Sequence, residues 1–379
     1  MADPSSLPSS LPPALIAALI AAGASLLVAV ISALAAFLAQ KRSIENQAEL
    51  QRYQADLKRL QAELDDRRAE RDARRDYEYE ALKRMYQECS PLLFVLVEQA
   101  ASAYGRIQGL AHTAAQGNLD GPGSWLTARR YRYYRLSTEY RLLAPLATLK
   151  LLQHRLTQFD LSLEPGIRLM YGLARHAGRV IGDDFDLAQT GPTPLAYDPH
   201  HEHAQSLRQA QPAVYWQQGV PRGILDNAIE SLLVRESGAA PRVMSYLEFE
   251  QARTLQDGPT WNAFERIAYL VADFHPRTRP VFWRVLLATA GIYRALMRVA
   301  DRNTHDIASL SAAQLLETVD AERASFDWRA ADNSSADDDQ AIEQAHAAVA
   351  AYLRQSVVPT VARDLAALAQ QAMPGGRGR

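Results

Sequence analysis

Hydrophobic and polar positions along this chain separate into distinct textures. Residues 14–39 hold no ionisable side chain, and only Gly23, Ser25 and Ser32 fall outside the apolar set. At 1.5 Å per residue, a helix of that length exceeds the roughly 30 Å of bilayer hydrocarbon. A secretory signal peptide has a basic lead-in and an apolar run about half as long, whereas residues 1–13 carry no Lys or Arg. A soluble core helix of this length would need a polar face. The pattern therefore predicts a transmembrane helix over residues 14–39, preceded by a disordered extracytoplasmic segment over residues 1–13.

Behind the span the texture becomes charged and periodic. Leu50, Tyr53, Leu57, Leu60 and Leu64 alternate spacings of three and four, the a/d rhythm of a coiled coil with charged residues between. Beyond Leu64 the equivalent positions fall on Arg67, Arg71 and Arg74. The apolar stripe ends there, while Ala, Glu and Arg keep helix propensity high. Residues 40–88 are thus expected to form a stalk helix with a short coiled coil, continuous with the span. Interleaved acids make its charge run a solvated face rather than a nucleic-acid surface.

The third texture, residues 89–372, is that of a helical globular domain. Ser90 and Pro91 read as a cap and first-turn proline for a helix carrying Leu92, Leu96, Ala100, Ala103 and Ile107. Leu143, Leu146, Leu149, Leu152 and Leu156 mark the next, with Pro145 expected to kink or divide it. Another starts near Pro165. Residues 187–222 are crowded with Pro and His and read as a long irregular connection, a possible subdivision of the domain. Helices resume at residues 224–234 and 246–255. Two more carry Trp261, Phe264, Ile267 and Val271, then Pro280, Val281, Val285, Ala288, Ile292, Leu296 and Val299. No strand pair with hairpin chemistry is evident. An acidic loop at residues 329–340 precedes a last Ala-rich helix at residues 341–372, interrupted at Pro359, and a disordered tail at residues 373–379. The fold class expected is all-α: one amino-terminal transmembrane helix, a stalk, and an irregular multi-helix cytoplasmic domain.

Composition and charge set the topology. The chain has 379 residues, 48% hydrophobic and 22% charged, with a formal net charge of −2, ample for a core and for no strong polyanion affinity. Lys41, Arg42, Arg52, Lys58 and Arg59 all follow the span, which places the bulk of the chain in the cytoplasm under the positive-inside rule. The single cysteine, Cys89, fits a reducing compartment and reads as a small core residue. The bias toward Ala, Arg and Leu fits a GC-rich bacterial genome, so a bacterial inner membrane is expected. Within the span, Ala17, Ala21, Ser25, Ala29 and Ala33 recur every fourth position and form a small-residue face that lets helices approach in lipid. Span and stalk together favour a homo-oligomer.

Candidate chemistry is sparse. Arg129, Arg130, Arg132, Arg135 and Arg141 interleave with Tyr131, Tyr133, Tyr134 and Tyr140, with Glu139 as the only acid among them. Such a patch suits phosphates, stacked bases or an acidic partner, but Tyr over a core with Arg stems across it is favoured, paired with acids such as Asp183, Asp184 and Asp186. His200, His201, Glu202 and His203 are plausible metal ligands, yet adjacent loop positions seldom converge on one ion, and no metal is expected. His275, Arg277 and Arg279 at a helix junction suit carbonyl capping better than anion binding. No phosphate loop, nucleophile elbow or zinc-finger spacing occurs. No cofactor and no catalytic residue are expected. The expectation is a non-enzymatic, membrane-anchored scaffold or recruitment protein that binds the bilayer, its own copies and a cytoplasmic protein, with nucleic acid disfavoured. The alternatives are a membrane-perturbing effector of a toxin or phage-defence system, and a ligand or nucleic-acid sensor or enzyme using residues 129–141.

Overall fold

The computed structural model describes residues 13–121, 123–199, 215–255, 258–302, 306–307, 309–317, 322–329 and 336–372. It is predominantly helical, 77% helix and 2% strand, as the apolar periodicity predicts. The expected terminal segments, residues 1–12 and 373–379, and the His200 to His203 cluster lie outside the described residues. Two compact units are present, Met1–Glu78 and Tyr79–Arg379.

Helix α1, Pro13–Ala115, contributes to both units. In the first unit every side chain from 14 to 77 is exposed. The uncharged run is held by backbone bonds and by Ser25, whose hydroxyl donates to the Ala21 carbonyl at 2.9 Å. The charged run carries one-turn ion pairs, Arg59 with Glu63, Arg68 with Asp65, Arg74 with Glu78 and Arg75 with Asp72. Each such exposed pair contributes about 0.3–0.5 kcal/mol. Helix α1 does not restart at Ser90: Pro91 lies inside it. Proline in a helix interior costs about 3 kcal/mol. Here that cost is offset by burial of Met85, Cys89, Leu93, Leu96 and Ala100 along one face.

The second unit is built around helix α9. In chain order its elements are a 3₁₀ turn Arg129–Tyr131, α2 Arg132–Leu156, α3 Pro165–Val180, α4 Asp184–Gln189, β1 Tyr197–Asp198, β2 Tyr215–Trp216, α5 Arg222–Ser231, β3 Leu233–Val234 and β4 Arg242–Val243. There follow α6 Tyr246–Ala252, α7 Pro259–Ala263, α8 Glu265–Ala272, α9 Pro280–Ala300, α10 Ala312–Leu316, a 3₁₀ turn Arg323–Phe326, α11 Ala336–Tyr352, a π turn Leu353–Val357 and α12 Val358–Ala372. Helix α9 is buried almost all round and packs on α3, α4, α10 and α11. Helix α2 packs on α3, α5, α6 and α8, and α12 packs on α3 and α10.

Polar groups that this core encloses are matched across long sequence distances. The amide side chain of Gln218, itself buried, accepts from the backbone N–H of Val281 and Phe282, both at 3.0 Å. It thereby satisfies two first-turn donors of α9 that have no intrahelical acceptor. Buried Arg284 donates to the carbonyls of Leu187 and Ala188 at 2.9 and 3.1 Å. Its positive charge sits where the last turn of α4 exposes carbonyl oxygens.

Several local expectations are revised. Pro145 does not divide α2, which runs through it with residues 142–149 buried. The connection at residues 187–222 contains the end of α4 and a parallel pairing of Tyr197 with Tyr215 and Asp198 with Trp216. A small antiparallel pair also forms, Leu233 opposite Val243 and Val234 opposite Arg242. Each strand is two residues long, so no alternation marks it, and the loop turns at Gly238 with φ of 81°. The last helical stretch opens into the π turn just before Pro359. Proline there has no N–H for the residue four before it.

Candidate functional site

The small-residue face, Ala17, Ala21, Ser25, Ala29 and Ala33, is exposed within the first unit, as is the row Leu50, Tyr53, Leu57, Leu60 and Leu64. Among the described residues one helix is long and apolar enough to cross a membrane, and its apolar stretch is uncovered.

The Arg and Tyr patch divides into an outer and an inner edge. Arg129, Arg130 and Arg132 are exposed, and the Arg130 guanidinium lies 4.7 Å from the Tyr131 ring centre. Trp125 packs on Tyr131 and on Tyr134, with ring centres 5.3 and 5.4 Å apart. Inward, Tyr134 carries Arg106 over its ring at 4.5 Å, and Arg106 donates to the Ser137 hydroxyl at 2.9 Å. Arg135 and Arg141 are half-buried, and Arg135 lies 3.7 Å from Glu139. Glu139 is fully buried and accepts from Nε and Nη2 of Arg253 at 3.2 and 3.1 Å. Arg253 in turn is held over Trp261 and Phe264. Burial pushes the Glu139 carboxyl up, against the pull of Arg253 and then Arg135. Two of the acids expected to serve this patch, Asp183 and Asp184, are engaged elsewhere. Asp184 accepts from the Tyr197 hydroxyl and the Gly219 N–H, and Asp183 from the Tyr352 hydroxyl.

The junction between α8 and α9 is a set of internal staples. Arg279, buried, donates to Asp273 at 2.6 Å and to the Tyr269 carbonyl at 3.3 Å, the capping role its position suggested. Arg277 holds Asp338 through two bonds of 2.9 and 2.8 Å. His275 packs edge-on to Trp328 and is depressed chiefly by burial. Cys89 is buried, and burial raises its thiol away from the reactive thiolate. Among the described residues no group of three His, Cys, Asp or Glu could hold a metal ion.

A cleft of about 720 Å³ in the second unit gathers residues that no local motif connects. Its walls come from α2, α3 and α5, with Leu146 and Leu149 on one side and Leu225 and Ile229 on another. Four cations line it, Lys150 from α2, Arg175 and Arg179 from α3, and Arg222 from α5, against Asp183 and Asp226. Arg179 is 3.5 Å from Asp183, and Lys150 is 3.6 Å from Glu230, which Arg235 also holds at 2.6 Å. Arg175 lies over the Tyr171 ring at 5.6 Å, and neither it nor Arg222 has a carboxylate partner among the described residues. His176 is depressed by burial first and then by Arg179 and Arg175, with Asp183 and Asp364 pulling the other way. Gly178 of α3 faces α2 here, and a β-carbon at that position would make ordinary contact with Leu146 at 3.4 Å. The only sequence sign of this cleft is Arg175 and Arg179, one helical turn apart on α3.

No family model, no curated protein and no solved structure matches the chain. What the structure itself offers is a first unit whose helix presents an uncovered apolar run, and an α-helical second unit with a cation-lined cleft.

Proposed function

We propose that the chain is a single-pass membrane protein of the bacterial inner membrane, which holds a helical recruitment domain at the cytoplasmic face. The observation that carries this reading is the uncovered apolar run at residues 14–39, exposed along its whole length in the protein's own fold. Leu19, Ile20, Leu26 and Leu27 are each more than 60% exposed, far beyond what water tolerates in a contiguous surface. Lipid covers it at no further structural cost. Lys41, Arg42, Arg52, Lys58 and Arg59 then lie on the cytoplasmic side, with the second unit. The face of Ala17, Ala21, Ser25, Ala29 and Ala33 and the row from Leu50 to Leu64 support parallel self-association of the span and stalk. The patch at Arg129, Arg130 and Arg132 offers the second unit's partner a cationic, aromatic surface.

The test is fractionation and topology in cells. The full chain is expected to stay with membranes through alkaline carbonate, and a carboxyl-terminal reporter is expected to be active only in the cytoplasm. Release by carbonate, or reporter activity outside the cytoplasm, overturns the reading. Depolarisation of cells that requires an intact span would instead favour a membrane-perturbing effector.

A further inference from the structure

We propose that the cleft between α2, α3 and α5 binds a phosphate ester with an apolar substituent. The argument begins from charge. Lys150, Arg175, Arg179 and Arg222 converge on one cleft against two carboxylates, and Arg175 and Arg222 keep their full charge available because no acid meets them among the described residues. Arg179 and Lys150 are met by Asp183 and Glu230, which leaves Arg175 and Arg222 as the cations that repel one another across the cleft. An anionic occupant removes that repulsion.

The residue type narrows the anion. Three of the four cations are arginines, whose planar donors pair with tetrahedral phosphate oxygens through two bonds at once. Gln153 and Thr360 add neutral hydrogen-bonding groups at the lining. Leu146, Leu149, Leu225 and Ile229 form apolar wall, which bare phosphate would leave wet. A volume of about 720 Å³ falls in the range of small-molecule sites, roughly 300–1,000 Å³, and is far larger than one phosphate. A phosphate carrying a hydrocarbon portion uses both halves of the lining. Such a group comes either from a soluble metabolite or from a lipid headgroup, and the chemistry of recognition is the same.

Calorimetric titration of the full-length chain in phosphatidylcholine nanodiscs tests this, with hexyl phosphate, inorganic phosphate and hexanoate as probes. Hexyl phosphate is expected to bind, more tightly than inorganic phosphate and more tightly than hexanoate. Arg175→Gln and Arg222→Gln are each expected to weaken it about tenfold, the loss of one charge-assisted contact. Both side chains are exposed, so the melting temperature should not move; Arg129→Gln, outside the cleft, should leave affinity unchanged. In nanodiscs that also contain phosphatidic acid, loss of hexyl phosphate binding assigns the site to a lipid headgroup, and retained binding assigns it to a soluble ester. The proposal is overturned by no binding at millimolar hexyl phosphate, by hexanoate binding equally well, or by full affinity in both cleft variants.

Discussion

Glu139 is the only acid in a stretch of arginines, and burial leaves it dependent chiefly on Arg253, 114 residues away, with Arg135 3.7 Å distant as a second cation. Removing one side of a fully buried ion pair strands the other charge, at about 3–5 kcal/mol, whereas the intact pair need contribute little net stability. Arg253→Met is therefore expected to lose about that much in urea unfolding, and Glu139→Gln distinctly less, since the amide can still accept from Arg253. Equal losses would mean that the pair acts only through packing. Gln218 makes a similar bridge without charge: Gln218→Ala leaves two buried donors of α9 unsatisfied, an expected cost of about 1–3 kcal/mol. At the protein surface Glu248 accepts from Arg242 through two bonds of 2.8 Å and from the Ser245 N–H at 2.7 Å, which hold its carboxyl down at about 2 from an ordinary 4.5. The folded value lies below the unfolded one, so this stabilisation is complete above pH 4.5 and disappears as pH falls toward 2. Glu248→Gln should match the parent in urea midpoint near pH 2 and fall below it at pH 7.

Elements show where sequence pattern suffices and where it does not. The apolar spacing from Val281 to Val299 is legible because α9 meets a partner on nearly every side. The capping box that opens α6, Ser245 with Glu248, is a structural finding beyond the helix expected at residues 246–255. Proline is the weaker guide: Pro91 and Pro145 both lie inside helices, because a local cost of about 3 kcal/mol is small beside a row of buried Leu and Ala. The paired strands at residues 233–234 and 242–243 leave no periodicity to read. The pairing of Arg253 with Glu139, and the meeting of Arg222 with Arg175 and Arg179 at one cleft, are set by tertiary packing, so the cleft leaves only a faint sign in the sequence while the patch at residues 129–141 is conspicuous. The row Leu50, Tyr53, Leu57, Leu60 and Leu64, each more than half exposed, is an element-level claim with its own test. Leu57→Glu combined with Leu60→Glu places charges at adjacent a and d positions. The double variant should stay in the membrane and lose most amine-reactive cross-linking between copies. Undiminished cross-linking would leave association to the span alone.

At the scale of the whole molecule, charge and apolar surface are sorted along the chain in a way that makes anchoring and folding separable. The unit Tyr79–Arg379 contains the hydrophobic core, whose buried members run from Met85 to Leu368 among the described residues, with half-buried Leu82 packed against it. The unit Met1–Glu78 has no buried side chain among its described residues, a surface that lipid and further copies would cover on the proposed reading. In the proposed topology, orientation is set by a few cations. Replacing Lys41, Arg42, Arg52, Lys58 and Arg59 with Gln while placing lysines at Ser5, Ser6, Ser9 and Ser10 reverses the asymmetry that positions the span. That variant is expected to remain resistant to carbonate, because the apolar run is untouched, while its carboxyl-terminal reporter switches compartments in at least a fraction of molecules. A reporter that stays wholly cytoplasmic would show that rapid folding of the large carboxyl-terminal unit overrides the charge rule, since a folded domain cannot be threaded across. Retaining the reversed charges and slowing folding with Arg253→Met separates those two causes: translocation that appears only then belongs to folding, and translocation absent in both sets the orientation apart from flanking charge altogether.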